Sequence, residues 1–526
     1  MTHATFNPIP PSTGADIGPE QAAAHVRAAT ALGRQHQFEA AAAEYEAARA
    51  WSPDDPDVIS RLGNLYTWRL GRAGDAAALY TAAVRTPRGA TRFDLYIDLA
   101  EAYLADASPQ EVRARLEREF VGDAGADAAF HGLLAALVRD GVYDEAQRLA
   151  HEILDKDSRD AVALIVVATA ITEQTHDLEA AEPYYWRALC ADPGRVRTNL
   201  HWLGHLTRKG DIERARSHVR ALLRNRARPR LSAGTAPDWD GSDPRGRTIA
   251  IDATIGFGDC IQVCRYATVL ANAGAAVHIQ CGTPLHSLVS TVAGVSQTFA
   301  EGADGPPADW SLNAMLAWLV VDVPLERIGG LIPYMTPAPQ AAVRMRREIG
   351  QRAAPGLRVG LAWSSSEFHD RNVFKRRNIQ FEELRPLLDI PGVTYFSLQH
   401  GPAARAAAGE ALCDLGAQFS DFMDTAAAVC ELDAVVTIDT STAHVAGALG
   451  RETLTLLPYT ASERWMFSRR DSPWYPTMTL FRQQQPGVWR DAIDAVRTRL
   501  SSLATRSVVE NTRRGREQPN AASTGQ

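Results

Sequence analysis

The stretch Thr248–Arg265, which reads TIAIDATIGFGDCIQVCR, constrains the fold of this chain most strongly. An apolar segment rich in β-formers runs from Thr248 to Thr254, the glycines Gly256 and Gly258 follow, and Asp259 opens a helical pattern. A strand that ends in a glycine-rich turn and enters a helix is how α/β domains build ligand sites at the carboxyl edge of a parallel sheet. The stretch therefore predicts an α/β domain with a ligand site at this turn.

Residues 20–225 instead indicate helical repeats. A small residue, a large one four positions later and a small one three further on recur as Ala41-Tyr45-Ala48, as Ala76-Tyr80-Ala83 and as Ala181-Tyr185-Ala188. This spacing resembles the tetratricopeptide repeat, whose period is about 34 residues, because small residues let two antiparallel helices cross closely. About six repeats are predicted, stacked in a superhelix whose concave face is of a kind that binds protein segments. An irregular helical domain is the alternative for the fold, and a scaffold for self-association is the alternative role for the concave face.

Four residues are candidates for the inner face of the last predicted repeat, next to the second domain. The candidates are His201, Trp202, His205 and Arg208. A mixture of core and solvated positions is the alternative for them.

After residue 225 the pattern changes. Residues 226–247 are rich in Pro, Gly, Ser and Asp and predict a linker. Predicted strands then cover 248–254, 276–280, 359–363, 393–398, 434–438 and 453–457, with helices at 261–273 and 284–292 and between the later strands. Such alternation implies parallel sheets covered on both faces. It predicts two Rossmann-like lobes, 248–345 and 355–500, with a cleft between them; one continuous sheet is the alternative. Residues 1–19 are expected to be flexible, and 505–526 to form a disordered tail.

The composition excludes several classes of function. The net charge of −7 gives no overall basic footprint for nucleic acid. The six cysteines are scattered without a zinc-type pairing, which suits a reducing cytoplasm. No run of 18 apolar residues occurs and the N-terminus does not read as a signal peptide, so a cytoplasmic protein without a membrane span is expected.

Two sequence motifs are candidate site elements. The Asp259 carboxylate, placed just beyond the glycines, is able to take a proton from an acceptor hydroxyl, although a helix cap is the simpler interpretation. The second motif is the stretch Asp439–Gly447, DTSTAHVAG, which follows a predicted strand and opens a helix. Its hydroxyl groups and backbone N–H groups suit a diphosphate, with His444 one turn further along. A hydroxyl cap followed by a core histidine is the alternative for this motif.

A third candidate follows the predicted strand 359–363. Hydroxyl residues come first and cations after them: Ser364, Ser365, Ser366, Glu367, Asp370, Arg371, Lys375, Arg376 and Arg377. Hydroxyls followed by cations are able to bind phosphate. A solvated loop is the alternative.

Together these motifs resemble glycosyltransferase family nine, which includes the lipopolysaccharide heptosyltransferases and has the two-lobed GT-B fold. The resemblance rests on strand-GxGD-helix in the first lobe and strand-D-T-x-x-x-H-x-A-G in the second. The stretches 395–399, 421–427, 432–440 and 471–483 are similar to a bacterial subgroup in which tetratricopeptide repeats are fused to this transferase. Some of its relatives glycosylate flagellin and hold the protein acceptor with the repeats. The resemblance implies an inverting, metal-independent transfer from a nucleotide sugar, with no cofactor.

The resemblance also implies roles for individual residues. Asp259 matches the general base, and Gly256, Gly258 and Gln262 belong to the acceptor-side turn. Donor binding falls to Asp439, Thr440, Ser441, Thr442, His444, Ser364, Arg371, Lys375 and Gln399, with the departing phosphate stabilised by the helix start, His444 and a cation. Two departures from the family are Ser441, where a glycine is usual, and the loop SSSEFHDRNVFKRRN, where a Gly-Asn segment is common.

The resulting hypothesis is a transferase acting on a protein, with flagellin as the acceptor. The alternatives are a transferase for lipopolysaccharide or another glycan, and a non-catalytic repeat scaffold. Deleting residues 1–225 is expected to spare donor binding and to lose the protein acceptor.

Overall fold

The computed structural model describes residues 17–34, 36–225, 230–232, 236–300, 303, 305–365, 371–467 and 469–517. The chain divides into two compact units, Met1–Ile171 and Thr172–Gln526. This division lies well before the predicted linker at 226–247, so the last helices of the repeat region belong to the same unit as the sheets.

Twelve helices occupy the described chain between residues 17 and 224. They are α1 Ile17–Arg34, α2 Phe38–Trp51, α3 Pro56–Trp68, α4 Ala73–Val84, α5 Phe93–Leu104, α6 Pro109–Glu119, α7 Ala126–Asp140, α8 Tyr143–Leu154, α9 Ala161–Thr175, α10 Leu178–Ala191, α11 Val196–Lys209 and α12 Ile212–Arg224. Six helical pairs result, which confirms the prediction of a helical repeat region.

The recurring small and large residues lie where the helices cross. Ala76, Tyr80 and Ala83 of α4 are all buried. A methyl group added to Gly63 of α3 would overlap the Tyr80 ring. The two helices therefore approach as closely as the repeat pattern requires, with the tyrosine filling the space that the glycine leaves.

The first sheet has four parallel strands. They are β1 Thr248–Asp252, β2 Ala276–Cys281, β3 Val295–Ala300 and β4 Trp310–Asn313, in the order β3-β2-β1-β4. Helices α13 Phe257–Asn272, α14 His286–Val289, α15 Ala314–Val320, α16 Leu325–Ile328 and α17 Pro339–Arg352 belong to this lobe and to the passage to the next. The strand order reverses between β1 and β4, which places the turn after β1 at a switch point.

The second sheet has six parallel strands. They are β5 Leu357–Ala362, β6 Val393–Ser397, β7 Cys413–Asp414, β8 Ala434–Ile438, β9 Glu452–Leu457 and β10 Met478–Arg482, in the order β10-β9-β8-β5-β6-β7. Its helices are α18 Phe381–Leu388, α19 Phe422–Cys430, α20 Ser441–Ala448 and α21 Arg490–Glu517. Since the two sheets are separate, the two-lobed prediction is confirmed and the single continuous sheet is wrong. The switch point lies between β5 and β8.

Several local predictions need correction. Helix α21 continues to Glu517, so the predicted disordered tail is wrong for residues 505–517, while 518–526 lie outside the described residues. Part of the predicted linker packs onto the first sheet: Trp239 is buried, and its backbone N–H donates to the Ser311 carbonyl at 2.8 Å. The flexible N-terminus falls on residues 1–16, also outside the described residues, and on the start of α1.

The strands β3, β7 and β10 were not predicted. Strand β3 is partly exposed along its whole length and lacks an apolar alternation, while β7 has only two residues. Among the described residues, no helix combines the length and the apolarity that a membrane span needs.

Candidate active site

A cleft of about 990 Å³ lies at the carboxyl ends of the strands of both lobes. The first lobe contributes residues 255–259, Pro284 and Met315 to its lining. The second contributes Ser364, Ser365, Lys375, Arg377, Gln399, Asp439, Thr440, Ser441, Thr442, His444 and residues 460–464, among others. Helix α11 adds Arg208. Both switch points thus open onto one cavity, which is where open α/β sheets bind ligands.

The turn after β1 presents Asp259 to this cleft. Gly256 is the N-cap residue of α13 and has an extended backbone, with no side-chain capping bond. Asp259, the third helical residue, instead forms an ion pair with Arg464 through Oδ1. A methyl group on Gly256 would lie 2.8 Å from Asp259 Oδ2, so the glycine leaves room for the carboxylate. The helix-cap interpretation of Asp259 is therefore wrong.

Arg464 joins the two lobes at this point, and sequence reasoning missed it. It lies in the loop after β9, and its Nη1 donates to Gln262 Oε1 at 2.8 Å. Burial alone would lower the pKa of Arg464, but the carboxylates of Asp259 and Asp439 outweigh it and raise that pKa. The guanidinium is thus charged between the two motifs that the sequence singled out. An isolated arginine in the loop segment SERWMF gave little signal of this role.

The second motif forms the start of α20. Thr440 is the N-cap residue of α20 and makes no side-chain capping bond. The N–H groups of the first helical turn therefore have no hydroxyl cap, and residues 440–442 of this helix start line the cleft. His444 follows and is only 2 % exposed. Its Nδ1 lies 2.8 Å from the Tyr475 hydroxyl.

Gly258 brings the two motifs into contact. A methyl group on Gly258 would lie 2.6 Å from His444 Cδ2 and 3.1 Å from Nε2. The imidazole therefore packs directly on the backbone of the turn that carries Asp259. The two motifs, whose contacting residues Gly258 and His444 are 186 positions apart in the sequence, build one site.

His444 is neutral at neutral pH. Burial lowers its pKa well below the usual value, and the positive charges of Arg464, Arg265 and Arg377 act in the same direction. A neutral imidazole carries no charge and offers one N–H donor.

The turn after β5 is held by Gln399. Its Oε1 accepts from the backbone N–H groups of Trp363 and Ser364 at 3.0 and 2.9 Å. Its Nε2 donates to the carbonyls of Ser364 and His400, both at 3.1 Å. The amide is thus occupied by backbone groups, so Gln399 orients the Ser364 turn rather than offering free donors to a ligand.

The cations of the third candidate separate. Lys375 and Arg377 line the cleft, whereas Arg371 is exposed and is not among the lining residues. Arg377 Nε has no hydrogen-bond partner among the described residues. Ser366, Glu367 and Asp370 lie outside the described residues.

The other predicted site residues can also be located. Gly256, Gly258, Asp259, Ser364, Asp439, Thr440, Ser441, Thr442 and His444 all line the cleft, whereas Gln262 is buried behind it against Arg464. Arg208, a candidate for the inner face of the last repeat, lines the cleft. In the part of the chain that the structure describes, no group of three or more His, Cys, Asp or Glu side chains is placed to hold a metal ion.

Comparison with known proteins gives the following similarities. No family model matches the chain. Protein FlbA of Caulobacter vibrioides (strain ATCC 19089 / CIP 103742 / CB 15) is 28% identical over 181 residues, which cover 32% of this chain. That match spans only 29% of FlbA.

Similar solved structures fall into two groups. The glycosyl transferase family 9 protein from Veillonella parvula DSM 2008 has 11% identity and a TM-score of 0.37, and covers 51% of this chain and 99% of its own. The E. coli ADP-heptose lps heptosyltransferase II has 12% identity, the same coverages and a TM-score of 0.35. A tetratricopeptide repeat protein from Parabacteroides merdae ATCC 43184 has 14% identity and a TM-score of 0.21, and covers 39% of this chain and 79% of its own. The first group is named for glycosyl or heptosyl transfer and the second for tetratricopeptide repeats.

Proposed function

We propose that this protein is an inverting glycosyltransferase that moves a sugar from a nucleotide sugar to a hydroxyl group of a protein held by the helical repeats. The observation that carries the proposal is the contact of Gly258 with His444. This contact brings a carboxylate from one lobe and an uncapped helix start from the other to a single cleft.

The donor phosphates bind on the second-lobe side. The first-turn N–H groups of α20 and the hydroxyl groups of residues 440–442 receive the phosphate oxygens. Lys375 and Arg377 supply positive charge, and Arg377 offers an Nε that no described residue occupies. Arg371, which the sequence suggested for this role, is not among the residues that line the cleft.

Asp259 acts as the general base. The acceptor hydroxyl donates to the carboxylate oxygen that Arg464 does not hold, and its proton passes to Asp259 as the oxygen attacks the anomeric carbon. The bond from that carbon to the phosphate oxygen breaks, and its electron pair leaves with the nucleotide. Because attack and departure occur on opposite faces, the configuration at the carbon inverts.

The surrounding groups orient these partners and stabilise the charge that develops. Arg464 holds the Asp259 carboxylate through an ion pair, and its positive charge also interacts with the Asp439 carboxylate. The Tyr475 hydroxyl lies 2.8 Å from His444 Nδ1. We assign the His444 proton to Nε2, so that Nδ1 accepts from Tyr475 and Nε2 donates to an oxygen of the nucleotide sugar. Positioning of this kind and preorganised hydrogen bonds supply much of the rate gain in enzymes.

A protein acceptor accounts for two features of the chain. The helical repeats are of a type whose surfaces bind protein segments. The cleft wall beside Asp259 keeps the large apolar side chains of Ile255, Phe257 and Met315 exposed, which suits apolar groups next to the modified hydroxyl. Flagellin is the acceptor that the family resemblance suggests. A lipopolysaccharide acceptor is the second candidate.

The test compares Asp259→Asn with Asp243→Asn, which changes an exposed carboxylate that precedes β1 and pairs with Arg245. Mass spectrometry of proteins from cells with and without this chain identifies the acceptor and the sugar together. With those substrates, Asp259→Asn should slow transfer by about 10²–10⁴-fold, because it removes the base. Donor-nucleotide affinity should change only a few-fold, roughly a kcal/mol at most. Undiminished transfer by Asp259→Asn would exclude the base role, and the absence of any mass shift would exclude a protein acceptor.

A further inference from the structure

One buried carboxylate, that of Glu173, connects the last turn of α9 with the second lobe. Glu173 belongs to the second compact unit and is only 1 % exposed. Its Oε1 lies 3.2 Å from Lys375 Nζ and 3.4 Å from Arg208 Nη2. Its backbone carbonyl accepts a hydrogen bond from Thr460 Oγ1 at 3.0 Å. A single residue of the repeat region therefore contacts three residues of the cleft wall.

Glu173 itself does not line the cleft, whereas Lys375, Arg208 and Thr460 all do. Any effect of Glu173 on a bound substrate must therefore pass through these partners. Of the three, Lys375 lies between β5 and α18, in the loop that the proposed function assigns to the donor phosphates.

The neighbouring contacts anchor the same wall. The Tyr459 hydroxyl donates to the Gln174 carbonyl at 3.2 Å. The His176 ring stacks between Tyr459 and Phe467, with centroid distances of 4.3 and 4.2 Å. The segment 458–467 also carries Arg464, so the end of α9 holds both loops that bring cations to the cleft.

Burying a carboxylate is costly unless cations compensate it, so this position is not one that packing alone would favour. A lysine side chain has many rotamers and loses much entropy when it is fixed. An ion pair with an immobile carboxylate restricts Lys375 before any ligand arrives. Because its side chain is already ordered, such a cation loses less conformational entropy when it binds a ligand.

We propose that Glu173 is a positioning residue, contributed by the repeat region, that holds Lys375 in place for a phosphate group of the donor. This inference rests on the proposed function, because it assumes that the cleft binds phosphate. It makes the end of the repeat region a structural part of the donor site as well as a means of holding the acceptor.

The test is a double-mutant cycle on the full-length protein, with inorganic pyrophosphate as the probe and calorimetry as the measurement. Lys375→Gln should weaken pyrophosphate binding by about tenfold or more in the otherwise native chain, since a charge-assisted contact is lost. In the Glu173→Gln background, where Lys375 is no longer held, the same substitution should cost less than about threefold. Net charge cancels in this comparison, so the result reports on positioning.

Lys209→Gln is the matched control. Lys209 lies on α11, pairs with Glu179 at 2.8 Å and does not line the cleft, so pyrophosphate affinity should stay within about twofold. Glu173→Asp, which keeps the charge but shortens the side chain, serves as the background if Glu173→Gln does not fold. Its expected loss at Lys375→Gln lies between those of the other two backgrounds.

The outcomes separate the two proposals. If the native chain binds no pyrophosphate, the phosphate site of the proposed function fails and this inference fails with it. If the native chain binds pyrophosphate but Lys375→Gln costs the same in both backgrounds, or costs nothing, only the role of Glu173 is overturned.

Discussion

Substituting Gly258 with alanine tests whether the two motifs form one site in the working protein. Gly258 is the second residue of α13 and its φ angle does not lie in the left-handed region, so the backbone accepts alanine. The added methyl group would lie 2.6 Å from His444 Cδ2 and 3.1 Å from Nε2. A real contact between carbon atoms needs roughly 3.5 Å or more, so either the helix or the imidazole must move.

The imidazole has little freedom to yield. His444 is almost fully buried, its ring centroid is 5.5 Å from that of Trp465, and its Nδ1 is tied to Tyr475. Overpacking of this kind costs about 1–3 kcal/mol. Alanine gains up to about 1 kcal/mol over glycine within a helix. When the full gain from alanine is subtracted, the net loss should be up to about 2 kcal/mol of unfolding free energy.

The assay combines urea unfolding with transfer to the identified acceptor. Gly350→Ala in α17 is the matched control, because its methyl group would meet no atom within 4 Å. The control should be neutral or stabilised by up to about 1 kcal/mol, with transfer unchanged. Gly258→Ala should lose stability and slow transfer by about tenfold or more, since the base and the donor groups move apart. If the two variants behave alike in both measurements, the contact between the motifs is not part of the functional protein.

Two further predictions concern stability. Gly63→Ala should destabilise the helical repeats by about 1–3 kcal/mol in urea unfolding, because its methyl group overlaps Tyr80. The control Gly74→Ala should not destabilise them, because its methyl group meets no atom within 4 Å. Equal unfolding midpoints for the two variants would contradict the close helix crossing. Burial lowers the pKa of His176 to about 4 and that of His201 to about 3, so between pH 6.5 and these values the unfolded chain binds more protons than the folded one. The contribution of these two histidines to the free energy of unfolding is therefore fully present above pH 6.5 and is lost as the pH falls. A thermal unfolding midpoint that rises when the pH is lowered from 7.5 to 5 would refute this.

The contacts of Glu173 also change the meaning of a truncation. From the sequence, deleting residues 1–225 is expected to separate an acceptor module from an intact donor site. In the structure this cut removes Glu173 and Arg208, which contact or line the cleft wall. It also removes Arg216, whose Nη1 lies 3.0 Å from Asp322 Oδ1 of the first lobe. Under the proposed function, such a deletion therefore disturbs donor binding as well as acceptor binding.

The sequence by itself determines the architecture, because repeat period and strand alternation are local properties of the chain. Spacing of small and large residues, as at Ala76 and Tyr80, predicts the helical pairs. Apolar runs that end in glycine or in hydroxyl residues predict the parallel strands and the turns that follow them. The two motif turns were located in this way, and both lie at the cleft. Strand β3 escaped this reasoning because it is partly exposed along its whole length, so its sequence has no apolar alternation.

Only the tertiary structure decides which side chains meet at the site. Arg464 pairs with Asp259 across 205 positions of sequence, and no local pattern marks that loop arginine as different from its neighbours. Lys375 lies beside Glu173, and the Gln399 amide forms hydrogen bonds with backbone groups. Both arrangements follow from the order of the strands and the packing of the loops. The neutral state of His444 likewise depends on burial, which is set by neighbours distant in the chain. Local periodicity fixes the elements, whereas the chemistry of the cleft arises from contacts between them.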